Sequence, residues 1–211
     1  MPLFPFFVNI KGAHGIITGG GRHALEKVEK LLPYGPRLQV IAPEFLPAME
    51  DIPALLLTRR SFQETDLETE PAFVIAAGAD PEENHWIARL CRERRIPVNV
   101  VDDKDHCDFV FPALVNRGEL SVGISTNGAS PSVGALMKRR VEEQIPDRME
   151  EILDFLQEKR PAVSQAIPDK KRRFAFLKRL AEDCMEEGRP LTEEEFAELL
   201  REETEEIVPP E

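Results

Sequence analysis

The sequence predicts an α/β fold: a Rossmann-type, mostly parallel sheet, then a small β-hairpin and helix, then an α-helical carboxyl-terminal domain. Three observations carry this. An apolar run at residues 15–18 stops at Gly19, Gly20 and Gly21, and Ala24, Leu25, Val28, Leu31 and Leu32 follow at helical spacing. Strand-like and helix-like segments then alternate to about residue 112, as in βαβ units. After Pro146 the composition turns to charged sequence punctuated by Leu and Phe. The expected division is a nucleotide-binding domain at 1–112, a dimerisation and substrate region at 113–145, and a helical domain at 146–211.

The chain has 211 residues, 42% of them hydrophobic, enough for one good core and an accessory domain without disulfides or metals. Its formal net charge of -12 argues against nucleic acid or an anionic membrane surface as partner. Cys91, Cys107 and Cys184 are scattered with no CxxC pair, which fits a reducing cytoplasm. The apolar start is too short to span a bilayer and has no basic leader or cleavage site, so no membrane segment is expected. Residues 4–10 are expected as a strand or packing arm on the sheet.

The first strand is expected at 14–18, and the turn after it reads Gly19-x-Gly21-x-x-Ala24. In that pattern one glycine permits a sharp turn, the next admits a pyrophosphate against bare backbone, and the small third residue lets helix and strand pack. Unpaired N–H groups and the dipole of the new helix, expected over 23–32, would hold the phosphates. Gly19, Gly20, Gly21, Arg22, His23 and Ala24 are therefore candidate cofactor contacts, although such a turn also occurs without a ligand. A second strand, 38–42, ends in Pro43 and Glu44. A carboxylate about twenty residues beyond the glycines accepts hydrogen bonds from ribose hydroxyls and repels a 2′-phosphate, so Glu44 favours NAD over NADP. The alternative for Glu44 is a solvated loop carboxylate.

Further strands are expected at 54–58, 73–77 and 98–101, with a short turn at 62–67 and a helix at 81–94. Asp80 and Pro81 cap and open that helix, and Trp86, Ile87, Leu90 and Cys91 give it a core face. Strand 98–101 carries Asn99 and ends in Asp102 and Asp103, at the sheet edge where ligands of open α/β sheets sit. Asp103 either faces that crevice or caps the next turn. Residues 109–115 and 120–125 are expected as a hairpin, and Ser125, Thr126, Asn127, Gly128 and Ser130 form a polar loop before a helix at 132–144. A hairpin and one helix are too small to fold alone, which suggests pairing with a second copy. Beyond them, three short amphipathic helices are expected, with breaks at Pro161, Pro168 and residues 188–190. Phe174 is counted on an apolar face, residues 192–195 as a capping box, and the tail after Glu202 as frayed. The basic run 170–173 reads as an anion-attracting patch or a solvated helix face.

Taken together, several landmarks resemble the precorrin-2 dehydrogenase family of sirohaem synthesis, as stand-alone enzymes or the amino-terminal part of sirohaem synthases. They are the arm at 7–12, the glycine turn, Val40-Ile-Ala-Pro-Glu44, Ala76-Ala77 with 80–84, Val98-Asn-Val-Val-Asp102, 109–112, and Ser125-Thr-Asn-Gly-Ala-Ser-Pro131. The resemblance covers about residues 3–145. It implies NAD-dependent oxidation of precorrin-2 to sirohydrochlorin by a homodimer, with Asp102 as catalytic base and, in bifunctional members, a part in inserting ferrous iron. It also implies that Asn99 and the loop residues Ser125, Thr126, Asn127, Gly128 and Ser130 bind the polycarboxylate substrate. His23 departs from the aliphatic residue common there. The loop after Asp102 is rich in potential iron ligands, namely Asp103, Asp105, His106, Cys107 and Asp108, without a metal site being assigned. A different class of function, a non-catalytic NAD-binding redox sensor, is the alternative.

Overall fold

The structure is a computed structural model that describes residues 3–205. It divides into two compact units, Phe4–Phe111 and a second beginning at Pro112.

The first unit is built on β1 (His14–Thr18), α1 (Arg22–Leu31), β2 (Arg37–Ala42), α2 (Pro47–Glu50), β3 (Leu55–Arg59), β4 (Phe73–Ala76), α3 (Pro81–Glu93) and β5 (Val98–Val100). All five strands are parallel in the order β3-β2-β1-β4-β5. The chain moves outward from β1 to β3, then returns to lay β4 on the other side of β1, so the direction of winding reverses between β1 and β4. The inner strands are apolar on both faces because helices cover both faces. Ile16, Val74, Ala76 and Val98 pack into one cluster with Ile87 and Cys91 of α3. Ile17, Val40 and Ile75 pack into the other with Ala24 and Val28 of α1. Full burial of each large aliphatic side chain contributes ~1.5–3 kcal/mol.

The arm at 4–10 is not a strand, and Phe4, Phe6 and Phe7 are each more than three-quarters exposed. It runs directly into β1, whose two sides are already taken by β2 and β4, and Pro5 has no N–H to donate. Ile10 alone of its apolar residues joins the core.

In the second unit β6 (Ala113–Arg117) and β7 (Leu120–Ile124) form an antiparallel hairpin with Val115 opposite Val122. Its two-residue turn places Gly118 at φ 58°, as a type II′ turn requires. The expected strand at 109–115 starts late because Phe109 and Phe111 pack into the first unit's core, Phe109 edge-on to Phe73 at 6.4 Å. The hairpin packs on α4 (Pro131–Glu142) and α5 (Met149–Ala166), and α6 (Lys170–Glu187) and α7 (Glu193–Glu205) complete the unit. Ile152, Phe155, Val163, Phe176, Leu180, Phe196 and Leu199 form its core.

Pro161 does not break α5, which continues to Ala166. An interior proline costs ~3 kcal/mol or more, and burial of Ile152 and Phe155 before it and of Val163 after it offsets that cost. Phe174, expected on an apolar face, is 72% exposed, whereas Phe176 two positions on is buried. Helix α7 extends past Glu202 to Glu205, and the rest of the tail expected to fray lies outside the described residues. No helix among the described residues is long and apolar enough to cross a membrane.

Candidate functional site

Gly19, Gly20 and Gly21 join the end of β1 to α1 at the point where the winding reverses. The turn is held from both sides, with Gly19 N–H donating to the Ile41 carbonyl at 3.0 Å and Ala77 N–H donating to the Thr18 carbonyl at 3.1 Å. Gly19 has φ 94° and lies against the Ala77 carbonyl, where an added Cβ would sit 2.4 Å away. At Gly20 a Cβ would come within 1.8 Å of the Glu44 carbonyl oxygen. Gly21 differs from both, because a Cβ there would meet nothing within 4 Å. It caps α1, whose first turn carries no acidic side chain, so an anion meets bare N–H groups without opposing charge.

Ala24 is fully buried and lets α1 close onto the sheet, whereas His23 and Arg22 are exposed, Arg22 donating to Glu26 at 3.2 Å. Pro43 and Glu44 are exposed at the end of β2. Leu46 N–H donates to the Gly20 carbonyl at 2.9 Å, which ties the loop carrying Glu44 to the glycine turn. The Thr18 hydroxyl oxygen is buried at the end of β1 and has no hydrogen-bond partner among the described residues. An open helix start, a glycine that only bare backbone fits, an orphan hydroxyl and an exposed carboxylate after β2 are the donor and acceptor set a dinucleotide requires, so these residues fit the cofactor.

Asp102 follows β5 at φ 61°, a left-handed conformation that costs a non-glycine residue about 1–2 kcal/mol. It is exposed, and among the described residues its carboxylate accepts no hydrogen bond. Lys27 of α1 belongs to the same unit, and sequence reasoning missed it as a site residue. Its ammonium lies 4.3 Å above the Phe111 ring, burial pushes it below the usual lysine range, and the Asp102 charge partly opposes that shift. The signal available was a lysine flanked on the helix by buried Ala24 and Val28.

Asp103 caps the 3-10 turn Lys104–His106, Oδ1 accepting from Asp105 N–H at 3.2 Å, and Oδ2 meets His85 and His106. The two imidazoles hold its carboxyl below the usual carboxylate range, His85 most strongly. His85, on α3, is the other residue the sequence did not bring to this cluster, since it lies 18 positions away. Cys107 is a clamp for the loop, its Sγ accepting from Val100 N–H at 3.1 Å, and burial pushes its thiol up. Asn99, expected to touch substrate, is buried; its Nδ2 donates to the Phe109 carbonyl at 2.9 Å and to Cys107 Sγ, so it braces the chain beside β5.

The loop of Ser125, Thr126, Asn127, Gly128 and Ser130 lies in the second unit. Thr126 Oγ1 donates to the Ser130 carbonyl at 3.1 Å, Ser125 Oγ accepts from Asn127 N–H at 3.1 Å, and Ser130 Oγ caps α4 through Val133 N–H at 3.3 Å. The hydroxyls thus shape the loop, and Asn127 and Gly128 turn through positive φ at an exposed tip before the start of α4. The basic run 170–173 is largely occupied: Arg172 pairs with Glu203 at 2.7 Å and Arg173 donates to the Ile167 carbonyl.

Comparison with known proteins agrees with this geometry. Residues 6–113, just over half of the chain, match a family model described as "Putative NAD(P)-binding". Residues 117–144 match one described as the central part of sirohaem biosynthesis proteins. Siroheme synthases of Thioalkalivibrio sulfidiphilus and Methylococcus capsulatus are each 35% identical over 185 residues, 86% of this chain but 38% and 39% of theirs. That of Pseudomonas paraeruginosa is 32% identical over 205 residues, 94% of this chain and 44% of its own length. The chain therefore spans about two fifths of the curated relatives it matches. The solved structure of SirC, a precorrin-2 dehydrogenase, shares the fold with a TM-score of 0.74 at 23% identity, over 96% of this chain and 100% of that one. With its glycine turn, parallel sheet and helix start all inside the matched span, the chain belongs to the NAD(P)-binding family that this model describes, continued directly by the sirohaem-biosynthesis central segment.

Proposed function

We propose that the chain oxidises precorrin-2 to sirohydrochlorin with NAD. The observation that carries this is the pairing, within one unit, of a glycine turn open at Gly21 with an exposed Asp102 held at positive φ after β5. The unit leads into the sirohaem-biosynthesis segment, and the relatives and SirC carry names from that route. When bound, NAD accepts a hydride. Gly20, Gly21, Arg22, His23 and Ala24 would hold its phosphates through backbone N–H groups, Gly19 would shape the turn with its own N–H kept by the Ile41 carbonyl, and Pro43 and Glu44 would hold the ribose, Glu44 excluding a 2′-phosphate.

Loss of a hydride from the reduced macrocycle leaves a proton to be removed, and Asp102 Oδ takes it. Its carboxylate is exposed and among the described residues accepts no hydrogen bond, so its lone pairs are available for that proton. The loop 125–130, whose tip at Asn127 and Gly128 is exposed, would meet the substrate's carboxylates. The region 113–145 pairs two copies, because α4 leaves Val133, Leu136 and Met137 exposed on one face. The compartment is a reducing cytoplasm, in keeping with three free cysteines, two of them buried.

The test is an anaerobic assay of the full chain with precorrin-2 and NAD, following NADH and macrocycle absorbance, beside an Asp102→Ala variant. We expect turnover to fall by about 100-fold or more with NAD binding retained. Unchanged turnover would remove Asp102 from the chemistry, and NAD binding without oxidation in the unaltered chain would favour the redox-sensing reading. Adding ferrous iron reveals whether the chain also metallates the product faster than the spontaneous rate.

A further inference from the structure

Three side chains that the oxidation does not use converge beside β5. His85 Nε2 and His106 Nδ1 lie 2.6 Å and 2.7 Å from the same oxygen, Asp103 Oδ2. The imidazole rings stack with centroids 4.3 Å apart and planes inclined by 26°. One ligand atom from each of the three lies within 4.8 Å of the others. All three are only partly buried, so an ion can arrive and water can complete its shell.

We propose that His85, Asp103 and His106 form a binding site for a first-row divalent cation, of the zinc, nickel or ferrous type. Two imidazoles and one carboxylate suit these ions, whereas magnesium and calcium prefer oxygen ligands throughout.

The donors stand on supported elements. Asp80 caps α3 by accepting from Glu82 N–H at 2.9 Å, and Asn84, next to His85, clamps the Gly78 backbone through both its amide nitrogen and oxygen. The 3-10 turn carrying His106 is fastened to β5 by Cys107 Sγ and by Asp108 Oδ2, which accepts from Val98 N–H at 3.1 Å. Asp105 N–H holds Asp103 Oδ1, which leaves Oδ2 for the two imidazoles. Such outer support fixes ligand direction and typically changes metal affinity ~10–100-fold.

On binding, the ion forms bonds to one ring-nitrogen lone pair of each imidazole and to Oδ2, and any ring N–H that faced Oδ2 shifts to the ring's other nitrogen, so each neutral imidazole keeps one N–H. No electron is transferred. The site does not depend on the oxidation reading, because none of its ligands belongs to the glycine turn and Asp102 contributes no atom to it.

The experiment uses the full chain freed of metal with a chelator and titrated with cobalt(II), following its visible absorption, with zinc as competitor. We expect one equivalent to bind, His85→Ala and His106→Ala each to weaken binding by about tenfold or more, and the double variant to lose the band. NAD affinity and melting temperature of the variants, measured alongside, show whether the first unit is intact. Independently of any variant, one equivalent of zinc should shift the ring-proton resonances of His85 and His106 and leave those of His14 and His23 in place. Absence of stoichiometric binding, a band that survives in the double variant, or unmoved His85 and His106 resonances would overturn the site and leave the three as a hydrogen-bonded bridge.

Discussion

An alanine at position 20 would press its Cβ into the Glu44 carbonyl at 1.8 Å, a backbone atom that cannot swing aside, whereas one at position 21 meets nothing within 4 Å. The two substitutions therefore separate folding from binding. Gly20→Ala should lower stability by about 1–3 kcal/mol, read as a fall in melting temperature. Gly21→Ala should leave melting unchanged yet weaken NAD binding by about tenfold, ~1.4 kcal/mol, by placing a methyl where phosphate approaches. A Gly21→Ala chain that binds NAD as before would remove the phosphates from this turn. At this scale the glycine pattern was legible because turn chemistry is local. What was not legible depends on contact across the fold: His85 meets Asp103 only because α3 packs beside β5, and Asn99 reads as polar and available although the fold turns it inward.

At the scale of elements, α7 opens on a reciprocal cap in which Thr192 N–H donates to Glu195 Oε2 at 2.7 Å and Glu195 N–H donates to Thr192 Oγ1 at 3.2 Å. Arg189 adds two bonds of 2.9 Å to the same carboxylate. Arg189 and the Thr192 cap hold the Glu195 carboxyl down to about 2. A carboxyl whose pKa is depressed by folding stabilises the fold above its unfolded value, near 4.5, and that stabilisation is lost as pH falls through the folded value. We expect the melting temperature to decline between about pH 4.5 and 2 and Glu195→Gln to flatten that decline, measured by circular dichroism. An equally steep decline in the variant would place the titration elsewhere. The box was legible because its residues stand three apart, while the persistence of α5 through Pro161 was not, because it rests on distant partners such as Phe196, edge-on to Phe155 at 6.0 Å.

For the whole molecule, Val133, Leu136 and Met137 on α4 present an apolar face that water does not favour. With the pairing of copies proposed for this region, the full chain should sediment at twice its 23.9 kDa mass, and Leu136→Glu should return it to a monomer with its far-ultraviolet spectrum unchanged. A monomer before substitution would rule the pairing out. The five-stranded parallel sheet was legible as alternating period and length, strand by strand, to within one residue at every end. The arm at 4–10 was misread because apolar composition alone does not reveal that the neighbouring strand has both edges filled.

The bond from Leu46 N–H to the Gly20 carbonyl, with the Glu44 carbonyl packed on the Gly20 α-carbon, makes one clasp of two segments more than twenty residues apart. The Glu44 side chain points to solvent while its backbone bears on the turn. The position is thus open to changes of side chain and closed to changes of loop length: with the ribose contact proposed for Glu44, exchanging residue 44 should retune cofactor preference, whereas inserting or deleting one residue between β2 and α2 would pull the glycine turn out of shape along with it.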